Sequence, residues 1–437
     1  MWLIYLGTRN NKAANIMRFI QEWVTQFKTY NNNIKLAILA NIFSQVGLGI
    51  FMVVYNFYIR ELGYSQDVNG QVIALTALAT AIILVPAGFL SDKLGRKRIM
   101  GFGILVAGLV LFLRSIIELE SLLLVAGFAT GIFTAFLQVS TVPWLAENSA
   151  LKQRVHLFSL HAALVTVANV IGSILGGTLT DLFSLLTTDL QSIRYTLIIG
   201  SLFYFLSFFP ILKLSEQRKP KPEKKQKFNL KQYVSENKFG FKIIALFAIA
   251  QLLIGFGSGL VIPYLNLYFA DRFSASNSVV GLIISIGQAA TAIAMFVGPF
   301  VVSKMGEVRA VVTLQLLSLP FLLLTAYTDN LLLATVGFLF RQALMNAGNP
   351  IQSSLMMSQV DDSMKGLANS VNQMVFNLGW AFMGPVSTGI VLKYGAYWGY
   401  ANVFTITACL YLVGSLYFYF VFRSVKRTNE PVENKPA

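Results

Sequence analysis

The chain has 437 residues, 55% of them hydrophobic and 12% charged, with a mean hydropathy of +0.64. A soluble protein carries about a quarter charged residues, so the composition excludes a soluble enzyme and a disordered tail, and a lone Cys409 excludes a disulfide scaffold or a thiol metal site. The formal net charge of +15 would suit nucleic acid, but the cations sit in loops between apolar stretches, where they anchor a membrane protein instead.

Residues 1–33 precede the first long apolar run. Met1 to Gly7 is too short for a secretory core and is expected in the mature chain. Ile16, Phe19, Ile20, Trp23 and Phe27 recur every three or four positions with Arg18, Glu22 and Lys28 between them. That spacing suits an amphipathic helix on the inner leaflet and equally an ordinary exposed helix. Six apolar runs follow, near 34–58, 68–91, 99–118, 121–146, 156–180 and 194–213, making a first half of 34–213. The basic, proline-broken stretch around Arg218-Lys219-Pro220-Lys221-Pro222 lies in a linker at 214–240, expected on the cytoplasmic side. Six more runs, near 241–270, 277–302, 308–327, 330–357, 366–391 and 397–422, make a second half of 241–422, followed by a cytoplasmic tail at 423–437. About 20 apolar residues cross a bilayer, so the expected fold is an all-α membrane protein of twelve transmembrane helices in two pseudo-symmetric six-helix bundles.

With both termini inside, roughly 28 Lys and Arg residues fall on the cytoplasmic side and about 5 on the other, and Arg341 stands alone within a span. The halves repeat in parallel at an offset of about 210 residues. Gly47-x-Gly49 and Asn56-Phe57-Tyr58 align with Gly257-x-Gly259 and Asn266-Leu267-Tyr268, and Asn41 falls on Gln251. Lys93-Leu94-Gly95 meets Lys304-Met305-Gly306, Leu122-Leu123-Leu124 echoes Leu331-Leu332-Leu333, and Asn169 and Gly176 fall on Asn377 and Gly384.

The strongest local signal is Gly88-Phe89-Leu90-Ser91-Asp92-Lys93-Leu94-Gly95-Arg96-Lys97-Arg98, in the short loop between the second and third spans. Gly88 suits close helix packing, Gly95 a tight turn, and Asp92 the acceptance of hydrogen bonds from a helix start or a guanidinium. The basic residues are also ordinary positive-inside anchors. Gly-x-x-x-Asp-Arg/Lys-x-Gly-Arg-Arg/Lys in that loop resembles the signature of the major facilitator superfamily, and the twelve-span layout extends the resemblance over about residues 34–425. The resemblance implies a cytoplasmic latch, involving Gly88, Asp92, Lys93, Gly95, Arg96 and Lys97, that holds the halves together in the outward-facing state. Glu147 matches the acidic partner at the end of the fourth helix, and Arg154 is a candidate to complete the charge network, though solvated loop charges would look no different. The second copy has Ser303 in place of Asp92, which implies a degenerate latch there. Two features depart from proton-driven drug exporters. Gly127 to Gly131 carries no arginine, and Gly172-x-x-x-Gly176-Gly177 replaces the Gly-Pro motif of the fifth helix and reads as a close-packing face.

No Asp or Glu falls in the middle of a predicted span. His161 is therefore the candidate for proton coupling, set against a neutral histidine bonded to a nearby carbonyl. Arg341, without an intramembrane carboxylate, points either to a watery cavity for an anionic or carbonyl-rich group or to a structural, snorkelling role. Amides and hydroxyls form stripes. Gln45, Gln138, Asn169, Gln251, Gln342, Asn346, Asn349, Gln373, Asn377 and Trp380 join Arg341 as candidate substrate contacts, with interhelical hydrogen bonding as the alternative for part of them and Asn56 and Asn266 read as structural. In the family the resemblance names, helices one, four, seven and ten line the cavity.

The resulting expectation is a transporter without catalytic residues, metal or cofactor. It moves a small organic solute by alternating access, exporting an amphiphilic or anionic compound or drug, with nutrient uptake of a sugar or organic anion as the alternative. No Gly-x-x-x-x-Gly-Lys-Ser/Thr phosphate loop occurs. A non-transporting receptor or scaffold is the alternative from another class. The expected partners are the solute, the lipid bilayer and a coupling proton or other ion, in a monomer of the bacterial inner membrane.

Overall fold

The computed structural model describes residue 27 and residues 29–150, 154–216, 237–361 and 364–423. The first half contains α1 (Asn32–Glu61), α2 (Gln66–Leu94), α3 (Arg96–Arg114), α4 (Glu120–Glu147), α5 (Arg154–Ser184) and α6 (Asp189–Leu206, extended by Phe208–Leu212). In the second half α7 runs from Lys238–Val261 through a tight 3₁₀ turn, Ile262–Tyr264, into Leu265–Phe273. Next come α8 (Asn277–Met305), α9 (Glu307–Tyr327) and α10 (Leu331–Ala347 with Asn349–Ser358). The stretch Lys365–Phe422 bends at Gly395, where φ is +74°, into α11 (365–394) and α12 (396–422). Ten helices of the described residues are long and apolar enough to cross a membrane. Resolving the bend at Gly395 and adding α3, whose ends carry Arg96, Lys97, Arg98 and Arg114, brings the spans to the expected twelve.

Several boundaries differ from the hydropathy reading by a few residues; α5, for one, ends at Ser184 rather than near 180. α3 stops at Arg114 rather than near 118, and α6 begins at Asp189 rather than near 194 because the Thr188 side chain caps it by accepting from Gln191 N. Hydropathy finds the apolar middle of a helix, whereas caps decide where it starts. The amphipathic segment before Phe27, the linker residues 217–236 and the tail beyond Arg423 lie outside the described residues.

The internal repeat is visible in the packing. The loops after α2 and α8 both turn through a glycine with positive φ, Gly95 at +101° and Gly306 at +80°, a region open to glycine without steric cost. A Cβ on Gly47 would stand 2.5 Å from Gly200 O of α6, and one on Gly257 would stand 2.6 Å from the Tyr411 ring of α12. The aligned glycines thus let α1 and α7 approach equivalent neighbours. Between the halves α5 meets α8 and α2 meets α11: Gly177 faces Asn277, and Gly70 lies 3.0 Å from Gly384 O by the same measure. These contacts lie toward the end of the bundle that holds the α1–α2, α5–α6 and α7–α8 loops. The opposite end, the latch end, carries the Asp92 loop.

Candidate functional site

Amides build the seam between the halves. Asn56 Nδ2 donates to Pro263 O at 2.7 Å and to Asn266 Oδ1 at 2.9 Å, while Asn266 Nδ2 donates to Val53 O at 2.8 Å. Pro263 follows Val53 by the same 210 residues that separate Asn56 from Asn266, so the two bonds to backbone are mates under the repeat. Pro263 falls in the 3₁₀ break of α7, where the missing N–H and the ring disfavour a continued helix. Both amides are thus engaged in bonds that run across the halves, in line with their structural reading, while Asn56 also borders the cavity. Around them Arg60 pairs with Asp271 at 3.0 Å, and Gln66 also donates to Asp271 at 3.0 Å. Asp181 accepts from Asn277 Nδ2 at 3.0 Å and from Ser278 N at 2.7 Å, at the start of α8.

Against this seam lies a cavity of about 350 Å³. Leu48, Phe51, Met52, Tyr55 and Asn56 of α1, Val72, Ile73, Thr76, Ala77 and Thr80 of α2, Leu111 and Arg114 at the end of α3, and Thr130 and Thr134 of α4 line it from the first half. Pro263, Asn377 and Trp380 line it from the second. Most polar side chains on this wall are engaged. Thr76 donates to Val72 O or Gly127 O, Thr80 to Thr76 O or Gly131 O, Thr130 to Ala126 O and Thr134 to Thr130 O. Trp380 Nε1 donates to Ser258 Oγ at 2.8 Å, and Asn377 Nδ2 to Gln373 O at 2.9 Å.

Arg114 is different. It is 6% exposed, lies over the Tyr55 ring at 3.9 Å and donates Nη1 to Thr130 Oγ1 at 3.1 Å, while its Nε and the Tyr55 hydroxyl have no hydrogen-bond partner among the described residues. Thr130 stands ten residues into α4, about 15 Å along the axis at 1.5 Å per residue, so the guanidinium is carried inward from the end of its helix. The reading of Arg341 as standing alone within a span is thereby corrected: the structure buries Arg114 as well.

Arg341 is 2% exposed but lies off this cavity, donating to Gln342 Oε1 at 2.6 Å and to the Tyr411 hydroxyl of α12 at 3.0 Å. Asn346 donates to Gln342 O and Asn349 to Asn346 Oδ1, continuing a polar track along α10. Gln45 accepts from Asn169 at 3.2 Å, joining α1 to α5, and Gln251 is partly buried on α7. Gln138 of α4 donates to Gln373 of α11 at 2.9 Å, a bridge between the halves on the latch side of Thr134 and Asn377. Of the candidate substrate contacts, Asn377 and Trp380 line the cavity. The buried His161 Nε2 has no hydrogen-bond partner among the described residues, and His161 is not part of the cavity wall.

At the latch end Arg96 pairs with Asp92 at 2.7 Å and with Glu147 at 3.0 Å, tying α2, α3 and α4 of one half together. Asp92 is 62% exposed and Arg96 14%. Lys97 Nζ donates to Leu212 O and Leu214 O, Lys93 is exposed, and Ser303 donates to Phe300 O of its own helix. Among the described residues no atom of another element lies within 4 Å of a Cβ built on Gly88, so these residues do not show the close packing expected there. The side chain of Arg154 lies outside the described residues.

The profile of the Major Facilitator Superfamily matches residues 37–250 and 247–437. The chain belongs to that superfamily. Among its relatives, Multidrug resistance protein 1 of Bacillus subtilis is 26% identical over 82% of this chain and 90% of its own length. The multi-drug resistance efflux pump PmrA of Streptococcus pneumoniae is 24% identical over 92% of this chain and 98% of its own. The fold is shared with a bacterial homologue of the human lysosomal transporter Spinster, solved inward-facing and unoccupied, at a TM-score of 0.74 and 15% identity over 90% of this chain and 96% of that one. It is shared also with the nucleoside transporter NupG, at a TM-score of 0.71 and 18% identity over 91% of this chain and 100% of that one. Superfamily membership accounts for the Asp92 loop and the paired halves. Tyr55 and Arg114 escaped the sequence reading because α3 ends on the arginine, and because Leu48, Met52 and Tyr55 read as a plain apolar stripe on α1.

Proposed function

We propose that this superfamily member is a secondary exporter that carries amphiphilic organic solutes, drugs among them, by rocking its two halves about the cavity at the seam. The observation that carries the reading is the unequal closure of that cavity. Toward the α1–α2 loop it is sealed by the paired asparagines, the Arg60–Asp271 ion pair and the Asp181 contacts, and toward the latch end it is bridged by Gln138 and Gln373. Contacts of this kind break without unfolding a helix, as alternating access requires. The multidrug names of the Bacillus and Streptococcus relatives support export as the direction. The cations gathered in the latch-end loops support a plasma-membrane orientation with both termini cytoplasmic, and the lighter closure at that end supports a conformation that opens toward the cytoplasm. The protein acts as a monomer without catalytic chemistry, coupled to a proton gradient in which His161 is the titrating candidate.

The test is ethidium flux in proteoliposomes under an imposed pH gradient. Movement driven by the gradient in the wild type, lost in His161→Gln while downhill flux persists, is the expected result. Ethidium binding with no flux in either protein overturns the exporter in favour of a receptor, and gradient-driven flux that survives the substitution removes His161 from the coupling path.

A further inference from the structure

We propose that Arg114 and Tyr55 form an anion-binding site at the head of the cavity, one that takes a small organic carboxylate or sulfonate with its apolar body against Phe51, Met52 and Trp380. The proposal deepens the transporter reading by naming a substrate class, and it rests on that reading only for the ligand's being cargo.

A guanidinium keeps its charge in any protein environment, and burial without a counter-charge is costly. Arg114 is buried, and among the described residues its neighbours are the Thr130 hydroxyl and the Tyr55 ring, with no carboxylate at ion-pair distance. A neutral acceptor and a π face stabilise a cation but leave its charge uncancelled. Donor capacity is left over as well. Arg114 Nε and the Tyr55 hydroxyl are buried without a partner, and both side chains belong to the wall of the same cavity. The threonines on that wall are already engaged with backbone carbonyls, and Trp380 Nε1 with Ser258 Oγ. What the cavity lacks is therefore an acceptor that carries negative charge.

A carboxylate or sulfonate meets that need because its oxygens match the guanidinium fork and can also accept from a phenol. At about 350 Å³ the space suits a ligand of one or two fused rings, within the range of small-molecule sites. Phe51, Met52 and Trp380 offer aromatic and thioether surface to such a body. Arg341 provides no equivalent. Its Nη2 is bonded to Tyr411 and its Nη1 to Gln342, and although its Nε is also buried without a partner among the described residues, it lies off the cavity wall.

The experiment measures thermal stabilisation of the purified full-length protein by 2-naphthoate, the neutral 2-naphthamide and the cationic 2-naphthylmethylammonium. The three probes share a ring system and differ in charge. In the wild type 2-naphthoate is expected to raise the Tm at concentrations where the other two do not. In Arg114→Gln its apparent Kd should weaken about tenfold or more, the loss of a charge-assisted bond, with partial recovery in Arg114→Lys and a smaller loss in Tyr55→Phe. Equal stabilisation by all three probes, stabilisation by the cation alone, or an unchanged response to 2-naphthoate in Arg114→Gln overturns the proposal. Should Arg114→Gln fail to fold, the charge series in the wild type still decides. Ethidium flux in the same preparations keeps the two readings apart: flux without naphthoate selectivity sinks this site alone, and naphthoate selectivity without flux of any probe sinks the exporter alone.

Discussion

Asn56 and Asn266 each give an amide N–H to a backbone carbonyl of the opposite half, and they bond to one another as well. A buried side-chain hydrogen bond contributes about 1 kcal/mol net, and the stranded partner of a deleted one costs more. Asn56→Ala should therefore loosen the closed end, and the populations of its open and closed forms should shift on the order of fivefold per 1 kcal/mol. Because the two side chains touch, Asn266→Ala in the same chain should add less than it does alone. Distances between spin labels placed at Gly63→Cys and Ser274→Cys, in a Cys409→Ser background, report the shift. A distribution unchanged in both single variants would show that the apolar packing, and not the amides, closes this end.

At the scale of the helices, glycine positions separate permanent contacts from those that belong to one state. A methyl on Gly47 would press on the backbone of α6, with Gly200 O at 2.5 Å and Tyr204 N at 2.9 Å, and neither can swing away. Gly47→Ala should cost about 1–3 kcal/mol by overpacking, read as a lowered Tm. An unaltered Tm would mean that α1 and α6 part easily. Gly88→Ala meets open space here and should leave the Tm unchanged while slowing transport, if the Asp92 loop packs tightly only when the latch end closes. Equal flux in that variant would return Gly88 to the role of an ordinary helix residue. The same helices show what could be read in advance. Apolar length located the spans and the 210-residue offset located the repeat, because both depend on many residues at once. The end of α3 was misplaced because apolar Ile116 and Ile117 carry the hydropathy past its last turn, and Arg114 went unnoticed because a cation near a span end looks like a membrane anchor whether its side chain points outward or, as here, back toward Thr130. Candidate amides were similarly ambiguous: Gln45 and Asn169 pair within one half, Gln138 and Gln373 pair across the two, and only tertiary packing tells these apart.

For the whole molecule, the seam near the α1–α2 loop and the lighter Gln138–Gln373 bridge define which way the cavity opens. Asn377 is on its wall. In a Cys409→Ser background, Asn377→Cys should react with a membrane-impermeant maleimide added from the latch side and be protected from the opposite side, and a transported solute should slow the labelling. Equal reaction from both sides would contradict the closure described above. The reciprocal bonds of Asn56 and Asn266 have one more consequence. Each half offers the other the same donor and the same carbonyl, which is how the subunits of a C2 homodimer meet through an isologous interface. In a true homodimer a single substitution at this asparagine would alter the contact twice; in this single chain Asn56 and Asn266 are separate positions, so each side of the same symmetric contact can be changed alone.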